Sequence, residues 1–99
     1  MSISYATAPV AVRRDLGEAH AHAWAALAAP GTWWTGAERV AIAAEARAAR
    51  DCKLCSARRR ALSPAAVAGA HERCSALPDA AIDVAHRVAG DPARLSRSW

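Results

Sequence analysis

Phenylalanine is absent from this sequence, and methionine and tyrosine occur once each. The large apolar side chains reduce to a handful of Leu, Val and Ile plus Trp24, Trp33, Trp34 and Trp99, because alanine makes up more than half of the nominal 54% hydrophobic content. Burial energy scales with apolar area, so a 99-residue chain of this kind supports one domain with a modest core that leans on a partner. No run approaches the roughly 20 apolar residues needed to span a bilayer, and the N-terminus lacks the order of a secretory signal. A cytoplasmic protein with no membrane partner is therefore expected. An odd number of cysteines, three, argues against a secreted disulfide framework. There is no internal repeat, no Gly/Ser linker, no phosphate-binding loop, no serine triad and no pair of catalytic carboxylates.

The net charge of +4 comes mainly from arginine, with Arg47, Arg50, Lys53, Arg58, Arg59 and Arg60 gathered around one short stretch. Successive helical residues step about 100° around the axis, so Arg58, Arg59 and Arg60 form no flat basic face, and nucleic acid is not expected as a partner. The arginines read as a solvated surface, or as a positive field that favours thiolates.

Alanine is the best helix former and no sustained alternation calls for strands, so the fold class is all-α, with five to six short helices. Residues 1–14 read as an irregular lead-in and 15–99 as the helical domain. The first helix is expected over about 15–28, with Leu16, His20, Trp24 and Leu27 on one stripe and a stop at Pro30-Gly31. Thr35-Gly36-Ala37-Glu38 fits a capping box that opens a second helix running to about Arg50. Asp51 is placed to cap a third helix starting at Cys52. Ser63-Pro64 predicts a fourth over 64–76, Pro78-Asp79 a fifth ending at a left-handed Gly90, and Asp91-Pro92 a sixth that breaks off at Trp99. An element begun so close to the end is what the front part of a longer protein would show; a short helix docked through Trp99 is the other reading.

Chemistry concentrates in Arg50-Asp51-Cys52-Lys53-Leu54-Cys55-Ser56-Ala57-Arg58-Arg59-Arg60. Two thiols at this spacing can close a local disulfide or share a metal ion. A helix N-terminus offers unpaired amides and positive charge to a thiolate, and a neighbouring thiol rescues a sulfenic acid by condensing with it.

The segment Gly31-Thr32-Trp33-Trp34-Thr35-Gly36-Ala37-Glu38-Arg39-Val40-Ala41-Ile42-Ala43-Ala44-Glu45, followed by Cys52-Lys53-Leu54-Cys55, resembles the alkylhydroperoxidase-related branch of the AhpD-like, or carboxymuconolactone decarboxylase-like, superfamily. The likeness continues through Leu62-Ser63-Pro64, Leu77-Pro78 and His86-Arg87-Val88 to Asp91-Pro92-Ala93-Arg94-Leu95. It implies an AhpD-like helical bundle in a homo-oligomer and thiol-dependent hydroperoxide reduction, with Cys55 as the attacking thiol and Cys52 as the resolving one. It further implies no bound cofactor, a hydroperoxide substrate, and a protein or small-molecule thiol as reductant. The family's proton relay places a glutamate twelve residues before the first cysteine and a histidine four after the second; this sequence has Val40 and Arg59 there. Glu38 and Glu45 are the nearby carboxylates, and His20, His71 and His86 the imidazoles that could substitute, each also readable as a structural side chain.

Two other readings stand beside this one. Cys52, Cys55, His71 and Cys74 have the spacing of a zinc site in a helical interaction module, with Cys74 otherwise a packed thiol on a helical stripe with Val67 and His71. A non-catalytic AhpD-like scaffold with a structural or regulatory disulfide is the third. His20 and His22, two apart on a helix, point to different sides and make no metal pair. Trp33 and Trp34 would pack on the second helix, cover the cysteines or form a subunit contact.

Overall fold

The structure, a computed structural model, describes residues 3–97; Trp99 and its proposed docking lie outside the described residues. The described residues contain four α-helices and no strand, which establishes the all-α class and corrects the expected count of five to six: α1 (Arg14–Leu27), α2 (Gly36–Ala48), α3 (Lys53–Arg60) and α4 (Asp79–Gly90). Three single 3₁₀ turns, Ala49–Asp51, Pro64–Ala66 and Pro92–Arg94, punctuate the second half. The chain forms two compact units, divided between Val40 and Ala41.

In the first unit α1 buries none of its residues completely; Trp24 and Leu27 are half-buried, whereas Leu16 and His20 are exposed. The His20 ring hydrogen-bonds Tyr5. Trp33 stands 88% exposed, so the expected packing on the second helix does not extend to it. The capping box at the start of α2 forms as the sequence predicts. Thr35 Oγ1 accepts from the Glu38 amide at 3.1 Å, and Glu38 Oε1 accepts from the Thr35 amide at 2.9 Å. Gly36 is fixed by closeness: a Cβ there would meet the Ala28 carbonyl oxygen at 2.0 Å. Gly36→Ala is therefore expected to destabilise the unit by at least the ~1–3 kcal/mol typical of overpacking, read as a lowered urea midpoint in the purified variant.

The second unit is built around Ala49, Cys52, Leu54 and Cys55, with Val67 packed against them and Leu77, Ile82 and Ala85 buried nearby. Here the expected helix boundaries change. Asp51 does not cap α3: the end of α2 tightens into the 3₁₀ turn, and Cys52 takes the cap position with extended backbone (φ −72°, ψ 125°). Without a capping side chain, the free Lys53 amide is satisfied from a distance by the Glu72 carboxylate at 2.6 Å. At the other end, Arg94 donates to the carbonyls of Arg58, Arg59 and Ala61 at 2.6–2.8 Å. Arg94→Ala removes this donor from all three carbonyls, of which Arg58 O keeps the Ala61 amide, and is expected to cost about 1–3 kcal/mol in urea unfolding.

No helix forms over 64–76. After Pro64–Ala66 the chain runs irregularly to Pro78, and several of its polar groups bond outward, to α2, α3 and α4, instead of along a helical ladder. Gly69 (φ 153°) lets it pass Leu54, where a Cβ would lie 3.1 Å from Leu54 Cδ1. Gly90 ends α4 as its last helical residue without positive φ, and the expected sixth helix is the turn at Pro92–Arg94. Among the described residues no helix is long and apolar enough to cross a membrane.

Candidate functional site

Four donor atoms converge in the second unit. Cys52 lies at the cap of α3 and Cys55 in its first turn, so both sulfurs face the same side; His86 comes from the buried face of α4 and His71 from the irregular segment. The two sulfurs and one ring nitrogen from each histidine all lie within 4.8 Å of one another. Cys55 Sγ is 3.3 Å from His86 Nδ1 and 3.5 Å from His71 Nδ1, and Cys52 Sγ is 3.6 Å from His71 Nδ1. The Glu72 amide donates to Cys52 Sγ at 3.4 Å.

Each imidazole is backed by a carboxylate. His86 Nε2 donates to Glu45 Oε2 at 2.7 Å, and His71 Nε2 to Asp83 Oδ1 at 2.7 Å. A carboxylate on Nε2 holds the proton there and leaves the Nδ1 lone pair facing sulfur. Glu45 and His86 are fully buried, as only a satisfied pair can be. Burial opposes ionisation of Glu45. Donors from His86 Nε2, Ser75 Oγ and the Cys74 amide outweigh it and hold the carboxyl down at about 2. Burial likewise opposes Asp83, but His71 and the Arg58 guanidinium at 3.0 Å keep its carboxyl below the usual range.

The Cys55 sulfur lacks such compensation. Burial, reinforced by Cys52, pushes the Cys55 thiol up to about 12, against the opposing charges of Arg59 and Arg58. Reactive use of Cys55 therefore requires a base to take its proton or a cation to displace it. A small recess of about 20 Å³, room for a water-sized molecule, opens beside it and is lined by Cys55, Arg58, Pro64, His71, His86 and Arg87.

Among the expected residues, the structure brings Cys52, Cys55, His71 and His86 together. The expected metal set differs in one member: Cys74 is exposed and stands outside the cluster, and His86 takes its place. The reason is the missing helix over 64–76, without which His71 and Cys74 share no stripe. Cys74 is accordingly not a packed thiol, though its amide holds Glu45. Val40 and Arg59 supply no relay; a carboxylate and an imidazole reach the thiol from Glu45 and His86 instead. His86, expected as a substitute imidazole though not as a metal ligand, is a polar residue on the buried face of α4 beside Ile82 and Ala85. Asp83 carries no such signal, because its partner His71 comes from the irregular segment. The donor set can hold a metal ion.

No family model matches the chain, and neither a curated protein nor a solved structure matches it.

Proposed function

We propose that this protein is a thiol-dependent hydroperoxide reductase in which Cys55 attacks, Cys52 resolves, and His86 with Glu45 moves the proton. The single observation that carries the reading is the unbroken line from the Glu45 carboxylate through His86 to Cys55 Sγ, with the recess at its end. His86 Nδ1 accepts the thiol proton while sulfur attacks the terminal peroxide oxygen. The O–O bond breaks, the departing alkoxide takes that proton as an alcohol, and Cys55 becomes a sulfenic acid. Cys52, its proton accepted by His71 Nδ1, then attacks the Cys55 sulfur. An S–S bond forms, the S–O bond breaks and water leaves. Two thiols and one hydroperoxide give one disulfide, one alcohol and one water, so an external thiol must reduce the pair before the next turnover. A need for a thiol reductant is in keeping with the cytoplasmic compartment expected from the sequence, and the AhpD-like resemblance adds homo-oligomeric assembly to the reading. The size of the recess favours hydrogen peroxide or another small hydroperoxide over a bulky lipid one. Steady-state peroxide consumption with dithiothreitol as reductant tests this: turnover should be faster with hydrogen peroxide than with cumene hydroperoxide, and consumption no faster than dithiothreitol alone would overturn the reading.

A second reading rests on the same cluster. Tetrahedral zinc bonded to sulfur at about 2.3 Å and to nitrogen at about 2.0–2.1 Å separates the two donors by about 3.5 Å. Three of the four sulfur to nitrogen distances, at 3.3–3.6 Å, match that spacing, which supports a zinc-stabilised helical module held by Cys52, Cys55, His71 and His86.

A further inference from the structure

We propose that the reduced site is a zinc–thiolate switch: one zinc ion bound by Cys52, Cys55, His71 and His86 masks the thiols, and hydroperoxide expels it as the Cys52–Cys55 disulfide forms. The switch rests on the thiol-pair reading and regulates that same site.

Three features of the geometry point this way. First, the donors are two sulfurs and two Nδ1 lone pairs, a complete set for tetrahedral zinc; four protein ligands leave no open position, so the ion would block the sulfurs instead of activating a water. Second, both imidazoles have their other nitrogen on a carboxylate, Glu45 or Asp83, at 2.7 Å. That is the outer-shell arrangement which orients histidines toward a metal and strengthens them as ligands. Third, the sulfurs sit in the core of the unit, Cys52 1% and Cys55 8% exposed, where a bound dication would offset the cost of two buried thiolates.

Loss of the ion follows from the electron count. Two zinc-bound thiolates give up two electrons to the O–O bond of hydrogen peroxide. Both zinc–sulfur bonds break and one sulfur–sulfur bond forms. With two protons from solvent, the peroxide leaves as two waters and zinc leaves as the aqueous ion. A disulfide sulfur is a poor zinc ligand, and the two imidazoles left behind do not complete the set. The tether from His71 to α3 is cut at the same moment, and it is one of the contacts that hold the irregular segment after Val67 against Cys52 and Cys55.

The test loads the fully reduced, full-length chain with one equivalent of zinc chloride, adds hydrogen peroxide stepwise, and follows free zinc with a chromogenic chelator while disulfide is mapped by peptide mass. The expected result is one zinc bound per chain and one zinc released per Cys52–Cys55 bond formed. Asp83→Asn keeps all four donors on a partly exposed side chain and should weaken zinc binding by about 10- to 100-fold while the helical signal stays unchanged. A reduced chain that takes up no zinc but still forms the disulfide overturns the switch and leaves the thiol chemistry standing. Zinc that is retained while both thiols stay reduced overturns both readings of the sulfurs as redox groups. Zinc release without that disulfide, or unchanged affinity in Asp83→Asn, also overturns the switch.

Discussion

Cys55→Ser is expected to bring hydroperoxide consumption down to the uncatalysed background, whereas Cys52→Ser retains a first oxidation and then stalls. The asymmetry follows from position. Cys55 contacts both imidazoles and borders the recess, while Cys52 Sγ bonds His71 and the Glu72 amide. A sulfenic acid at Cys55 with no thiol at position 52 has no partner at hand, so excess peroxide carries it to the sulfinic state or an external thiol traps it as a mixed disulfide. Mass spectrometry of the two variants after one equivalent of peroxide reads this directly: Cys52→Ser gains oxygen or reductant on Cys55, and Cys55→Ser stays reduced at Cys52. Equal turnover in both variants would remove the assignment of roles.

Glu45 carries the second large effect, and two substitutions separate its two jobs. Glu45→Ala leaves His86 Nε2, Ser75 Oγ and the Cys74 amide without their acceptor in a buried site; each buried polar group left unpaired costs about 1–3 kcal/mol, and urea unfolding should show a loss of at least that order. Glu45→Gln keeps the shape but can present an amide N–H to the ring. The imidazole proton then moves to Nδ1, where it faces Cys55 and can no longer accept from the thiol. Peroxide turnover should fall by about 10²–10⁴-fold, the worth of a positioned general base, with a smaller loss of stability than in Glu45→Ala. Turnover that tracks stability alone across the two variants would make Glu45 a purely structural group.

Much of the scaffold was readable because its signals are local. The Thr35 to Glu38 capping box, the Pro78-Asp79 start of the last long helix and the Cys52–Cys55 spacing each depend on residues within a turn or so of one another. The misreadings share one cause, which is that distant groups overrode local preference. The alanines and the Ser63-Pro64 start favour a helix over 64–76, yet the segment's donors are claimed by Glu45, Cys52 and their neighbours, and the helix never forms. Asp51 is a good capping residue, but the 3₁₀ turn before Cys52 moves the cap one residue on, and Glu72 meets the Lys53 amide from outside the helix. The same long-range contacts hid the site. His71 reaches the sulfurs because its segment is irregular, and Glu45 joins His86 across 41 residues. Patterning places Glu45 beside Ile42 on α2, with Ala49 in the turn that follows, and His86 beside Ile82 and Ala85 on α4, without saying that the two faces meet.

The most direct test of the account is the second-order rate at which the fully reduced, metal-free chain reacts with hydrogen peroxide, measured against free cysteine in the same buffer and with the oxidised residues mapped. A rate well above free cysteine, ending in a Cys52–Cys55 disulfide with Cys74 untouched, is what the Glu45–His86–Cys55 line predicts. A rate at or below that of free cysteine, or oxidation confined to the exposed Cys74, would contradict it.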